Sequence, residues 1–195
     1  MHPLYHLLIT FILRLLLCLL VVTGGQELAI TLLIAPMALA PLLACAGSWR
    51  GVNTLHDPHT GSPVDTPSTL TVTPLLDGRF ARLDYTWRYD GKPQEGVMLV
   101  GFQKKDEVAT AHWIDTWHMG EQVLACAGRA QEGGALSVLG SYAVPGHPDW
   151  GWRIEVYPDA GHSLRIVMFN LSPEGEEWPA VEASYTPAPD AAKAA

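Results

Sequence analysis

A carboxylate set between two indoles, Trp113-Ile114-Asp115-Thr116-Trp117, is the pattern in this chain best suited to chemistry. Side chains alternate faces along a strand, so Trp113, Asp115 and Trp117 project together. A carboxyl in apolar surroundings has its charged form disfavoured and can serve as an acid or base near neutrality. The same residue serves equally as a structural buried acid, paired with an arginine such as Arg153 or bonded to backbone amides. Glu95, which opens the neighbouring strand, is a second candidate. Two carboxylates at a suitable separation support acid/base chemistry of the glycosidase kind, whereas a solvated strand end is the plainer reading of Glu95. His112 and His118 lie six residues apart, about 20 Å along a regular strand, too far to share a metal. His56 and His59 flank Asp57 in a loop without a third ligand, so no metal site is expected. Nucleophile elbows, His-Glu-x-x-His, phosphate-binding glycine loops and dinucleotide fingerprints are absent from the sequence.

The elements that must position these residues read as strands. Asp77-Gly78 and Asp90-Gly91 separate apolar runs, and Asp-Gly suits a hairpin turn whose central residues need positive φ. From Phe80 to Tyr89, Leu83, Tyr85, Trp87 and Tyr89 alternate with Arg82, Asp84, Thr86 and Arg88, which predicts an aromatic face directed inward. Further strands are predicted from Gly47 to about Leu55, Thr69–Leu76, Gln94–Lys104, Val108–Trp117, Val123–Ala130, Ala135–Val144, Trp150–Tyr157, Ser163–Phe169 and Pro179–Thr186. About ten short-linked strands with no helical period favour an all-β fold, an antiparallel up-and-down barrel of lipocalin or fatty-acid-binding type. A two-sheet sandwich is the alternative.

The formal charge of −8 lies wholly beyond residue 46, since Arg14 and Glu27 cancel within the first 46 residues. With no basic stripe to neutralise phosphates, nucleic acid is excluded as a partner. Three cysteines without a Cys-x-x-Cys pair point neither to a zinc ribbon nor to a disulfide framework. Residues 1–46 read as an apolar, helical segment in front of the domain at 47–187, and 188–195 read as a disordered tail. Leu7–Val22 carries Arg14 at its centre, and Leu28–Ala46 is broken by Pro36 and Pro41. The segment reads as a signal, as a membrane hairpin, as a lipoprotein-type box ending at Cys45, or as residues upstream of a true start at Met37. A start near Met37 implies a cytoplasmic protein; otherwise this segment attaches it to a membrane.

Several motifs resemble the bacterial domain-of-unknown-function 1579 family. They are the lead-in Leu43-Ala44-Cys45-Ala46-Gly47-Ser48-Trp49, the turn Leu76-Asp77-Gly78-Arg79-Phe80, and Gly91-x-Pro93-x-Glu95-Gly96 with Gly101-Phe102. Trp113-Ile114-Asp115-Thr116 and the closing Val181-Glu182-Ala183-Ser184-Tyr185-Thr186 complete the likeness, which runs from Leu42 to Pro187. The resemblance implies a lipocalin-like barrel with no established activity, and favours Met37 as the start. The Gly-x-Trp-x-Gly opening is shared more loosely with nitrobindin-type haem barrels and fatty-acid-binding proteins. A nitrobindin needs a histidine on iron, for which His162, in a Gly161-His162 turn, is the nearest positional candidate.

The expected function is binding of a small, largely apolar ligand at the barrel mouth, without a cofactor. Tyr85, Trp87, Trp113, Trp117 and Trp152 are expected as walls, with Asp115 and Arg153 as polar anchors. Trp150 and Trp152 also read as plain core. The alternatives are an enzyme using Asp115 or Glu95, a haem protein, and a barrel filled by its own side chains.

Overall fold

The computed structural model describes residues 38–58 and 60–188. The expectations for residues 1–37, including a start at Met37, for His59 and for the tail beyond 188 lie outside the described residues.

Ten strands close into one antiparallel barrel: β1 (Gly47–Leu55), β2 (Val64–Leu75), β3 (Phe80–Tyr89), β4 (Lys92–Gln103), β5 (Val108–Asp115), β6 (Leu124–Ala130), β7 (Leu136–Tyr142), β8 (Trp150–Asp159), β9 (Ser163–Leu171) and β10 (Glu177–Pro187). Each pairs with its sequence neighbours, and β10 returns to β1 with Val181 opposite Leu55. Closure satisfies both edges that a flat sheet would leave open. The sandwich alternative is therefore excluded.

Local chemistry accounts for the register. Asp90 and Gly91 take φ of 47° and 72°, as a two-residue type I′ turn requires, and set Tyr89 opposite Lys92. In β3, Ala81, Leu83, Tyr85 and Trp87 are buried while Arg82, Thr86 and Arg88 are exposed. Two strand limits differ from expectation. β2 starts at Val64, earlier than Thr69, because Pro67 lies where β2 pairs with β1 alone and no second ladder needs its missing N–H. β5 stops at Asp115 instead of running to Trp117, because the chain turns there and the Met119 amide donates to the Asp115 carbonyl at 3.2 Å.

The barrel interior is filled. Leu70, Leu83, Met98, Trp113, Ile154 and Leu164 are all essentially inaccessible to solvent, and transfer of such side chains out of water stabilises the fold by about 1.5–3 kcal/mol each. One end is closed by helix α1 (Ala40–Leu43), which inserts Leu39 and Leu42 into the core. Its fit depends on Gly134, where a Cβ would overlap Pro41. The Cys45 carbonyl accepts a hydrogen bond from Trp49 Nε1 at 2.8 Å, and the Cys45 thiol is 1% exposed. These residues therefore belong to the barrel rather than to a separate N-terminal segment ending at 46. Among the described residues no helix is long and apolar enough to cross a membrane.

Candidate functional site

The turn after β5 carries His118 back over the end of the strand, and the side chain of Asp115 holds it there. Asp115 Oδ1 accepts hydrogen bonds from the amides of Trp117 (2.8 Å) and His118 (2.9 Å), the pattern by which a short acidic side chain caps a turn. His118 Nδ1 lies 3.0 Å from the same oxygen. The second oxygen, Oδ2, accepts from Tyr85 Oη–H at 2.8 Å and from Trp87 Nε1 at 3.2 Å. Trp113 Nε1 in turn donates to Tyr85 Oη at 2.6 Å. Tyr85 reaches this position because Gly96 sits opposite it on β4; a Cβ at Gly96 would occupy the phenol ring.

Burial alone disfavours charge on Asp115, but the side-chain bond and charge of His118, with the two amides, outweigh it and hold the carboxyl below its ordinary range. The expectation of an acid/base group titrating near neutrality is thereby corrected: Asp115 is an ionised, fully hydrogen-bonded acceptor. Burial, followed by the neighbouring Asp115 charge, pushes the Tyr85 phenol well above its usual value.

In its neutral form the His118 ring, with Nδ1 against the Asp115 carboxylate, carries its proton on Nδ1 and leaves a lone pair at Nε2. That Nε2 has no hydrogen-bond partner, and neither does the buried indole nitrogen of Trp152. Aromatic rings surround His118: Trp117 at 4.6 Å between centroids, Trp113 and Trp152 at 5.4 Å, and Trp87 at 5.5 Å.

Two spaces meet at this histidine. Below it lies a crevice of about 10 Å³ lined by Asn53, Tyr85, Asp115 and Tyr185, room for about one water molecule. Asn53 Nδ2 is unpartnered beside it. Above it the barrel mouth opens into a cavity of about 570 Å³, with Trp117, His118, Trp150, Trp152 and Trp178 among its walls. Trp150 and Trp178 stack at 6.0 Å across β8 and β10.

The expected site residues divide accordingly. Trp117 and Trp152 line the mouth, while Tyr85, Trp87 and Trp113 lie beneath it as core and support Asp115. Arg153 stands on the outer face of β8, bridged to Glu155 and Glu177 and stacked on Phe169, so it is no partner of Asp115. Glu95 is exposed on the outer face of β4, one residue out of phase with Gly96, which pairs with Asp115. The two carboxylates therefore do not share a cavity. His162 lies in the exposed β8–β9 turn at the end of the barrel opposite the mouth, bonded to the Ala160 carbonyl. His112 points outward from β5, whereas His118 lies beyond the end of the strand. Among the described residues no group of three or more His, Cys, Asp or Glu side chains comes together to hold a metal ion.

Sequence reasoning missed His118 and Trp178. The available signal for the first was Asp-x-x-His at a strand end, since aspartate favours capping the amides two and three residues on. Trp178 had no comparable signal.

Residues 40–187 match the family described as "Protein of unknown function (DUF1579)". No curated protein matches. Among solved structures, the crystal structure of Rv2717c from M. tuberculosis is similar, with a TM-score of 0.55 and 14% sequence identity, covering 77% of this chain and 97% of that one. At that identity the likeness shows a shared fold and nothing finer.

Proposed function

The chain belongs to the DUF1579 family, and from the geometry of its barrel we propose that it binds a small, largely apolar molecule in the tryptophan-lined mouth. The observation that supports this is the pairing of a cavity of about 570 Å³ with an oriented, unpartnered His118 at its floor. Ligand sites are commonly concave and apolar with a few placed polar groups, and barrel mouths are a recurrent location. An unsatisfied buried polar group costs about 1–3 kcal/mol, and two such groups, His118 Nε2 and Trp152 Nε1, belong to residues that line this one cavity. In this reading His118 is the polar anchor and Asp115 the residue that fixes its tautomer. Asp115 and Glu95 have no geometric support as an acid/base pair, and His162 none as an iron ligand in the mouth.

Native mass spectrometry of freshly purified protein tests the proposal. A one-to-one organic adduct, weakened in Trp178→Ala, is the expected result. A protein free of adduct that also shows no saturable change in tryptophan fluorescence with small aromatic probes overturns it. A Soret band in the purified protein points instead to haem.

A further inference from the structure

The loops at the two ends of the barrel differ in charge. Because the strands run in simple meander order, alternate loops share an end. The five loops at the mouth span residues 56–63, 90–91, 116–123, 143–149 and 172–176. They contain Asp57, Asp90, Glu121, Asp149, Glu174 and Glu176 and no lysine or arginine. Lys92 and Arg88 flank the 90–91 turn, with Arg88 Nη1 donating to the Gly91 carbonyl at 2.8 Å, so six carboxylates outnumber two cations at this end. At the closed end the loops mix signs: Arg79, Lys104 and Lys105 accompany Asp77, Asp106, Glu107 and Glu132. The negative field of an already acidic protein is thus concentrated where the cavity opens, an arrangement that draws cations toward it.

The walls agree with that field. Indole rings line the cavity, and the face of an indole attracts a cation through its quadrupole. No lysine or arginine is among the lining residues, and the one carboxylate there, Asp57, accepts a hydrogen bond from Tyr89 at 2.9 Å. At the floor, the His118 side chain is 9% exposed and, in the neutral ring, its Nε2 accepts rather than donates. A ligand that meets it best brings an N–H or O–H. A group that is at once positively charged, a hydrogen-bond donor and suited to aromatic faces is an ammonium.

We propose that the ligand of the mouth is an organic amine, an aromatic or alkyl body carrying a protonated amino group. This rests on the mouth being the binding site and adds the chemical class of its occupant. The amino group meets His118 Nε2 and the indole faces, the apolar body fills the cavity, and the acidic rim accelerates capture. A carboxylate of the same size is repelled by the rim and finds no lysine or arginine in the walls. An alcohol of that size satisfies Nε2 but gains nothing from the rim or from the ring quadrupoles.

Three probes of matched size separate these cases: phenethylamine, 2-phenylethanol and 3-phenylpropionate, each titrated against tryptophan fluorescence at low and at 0.5 M salt. The expected result is binding of the amine at least tenfold tighter than the alcohol, no binding of the carboxylate, and a several-fold loss of amine affinity at high salt. In a rim-neutralised variant (Asp90→Asn, Glu121→Gln, Asp149→Asn, Glu174→Gln) the preference for amine over alcohol shrinks while alcohol binding is unchanged. Those four side chains are exposed, so folding is expected to survive. Alcohol or carboxylate binding as tightly as the amine overturns the amine class and leaves the mouth as a binding site. No response from any of the three overturns both.

Discussion

His118 Nδ1 lies 3.0 Å from Asp115 Oδ1, and this contact fastens the turn after β5 to the barrel core. Asp115 receives five hydrogen bonds in all, from Tyr85, Trp87, the Trp117 amide, and the amide and ring of His118. The carboxylate therefore governs both the packing beneath the mouth and the orientation of its polar floor.

Asp115→Asn replaces an acceptor by an amide whose NH₂ faces donors. Leaving such buried groups unpaired is expected to cost about 3–5 kcal/mol, read as a fall in urea midpoint with an unchanged slope. The same variant tests the pH dependence. The folded carboxyl titrates below its unfolded value, so its contribution is present above about pH 4 and is lost as pH falls through the folded value. The wild type should lose stability over that acid range more steeply than Asp115→Asn.

Gly96→Ala places a methyl where the Tyr85 ring stands. Overpacking of this kind costs about 1–3 kcal/mol, and here it also pulls Tyr85 off Asp115. Thermal unfolding should show a lower midpoint, with near-UV circular dichroism of the buried indoles reduced. An unchanged near-UV spectrum would mean that the phenol is not held against β4.

Trp113 and Trp178 should behave oppositely. Trp113 is 1% exposed and stacks on Trp152 at 5.4 Å, so Trp113→Ala is expected to cost about 3–5 kcal/mol. Trp178 is 43% exposed, so Trp178→Ala should leave stability within about 0.5 kcal/mol while weakening probe binding several-fold. Chemical denaturation and a fluorescence titration on each variant check the contrast.

Tyr185 donates to or accepts from Ser68 at 2.9 Å, and burial pushes its phenol up to about 12. An unfolded tyrosine ionises near pH 10. Between these values the unfolded chain releases protons that the folded chain retains, so stability falls as pH rises from about 10 to 12. Ultraviolet titration should show phenolate appearing in two phases, the later one coinciding with unfolding. Tyr185→Phe should shrink that later phase.

The strand pattern was legible in the chain because its causes are local. Asp90-Gly91 makes a tight turn wherever it falls between apolar runs, and the alternation of Leu83, Tyr85 and Trp87 with arginines and threonines sends one face inward. Period two also separates Arg153 from Trp152, so that rule by itself placed Arg153 on the outer face. What local rules do not contain is register between strands: whether Glu95 or Gly96 pairs with Asp115 depends on how β4 slides against β5. Nor do they contain the space left after packing, which here is a crevice for one water molecule inside and a cavity of about 570 Å³ at the mouth. The sequence alone thus determined an all-β chain with an aromatic interior. Only closure of the barrel brought Trp178 from β10 beside Trp150 and set His118 over Asp115, because those contacts join segments whose distance along the chain says nothing about their distance in space.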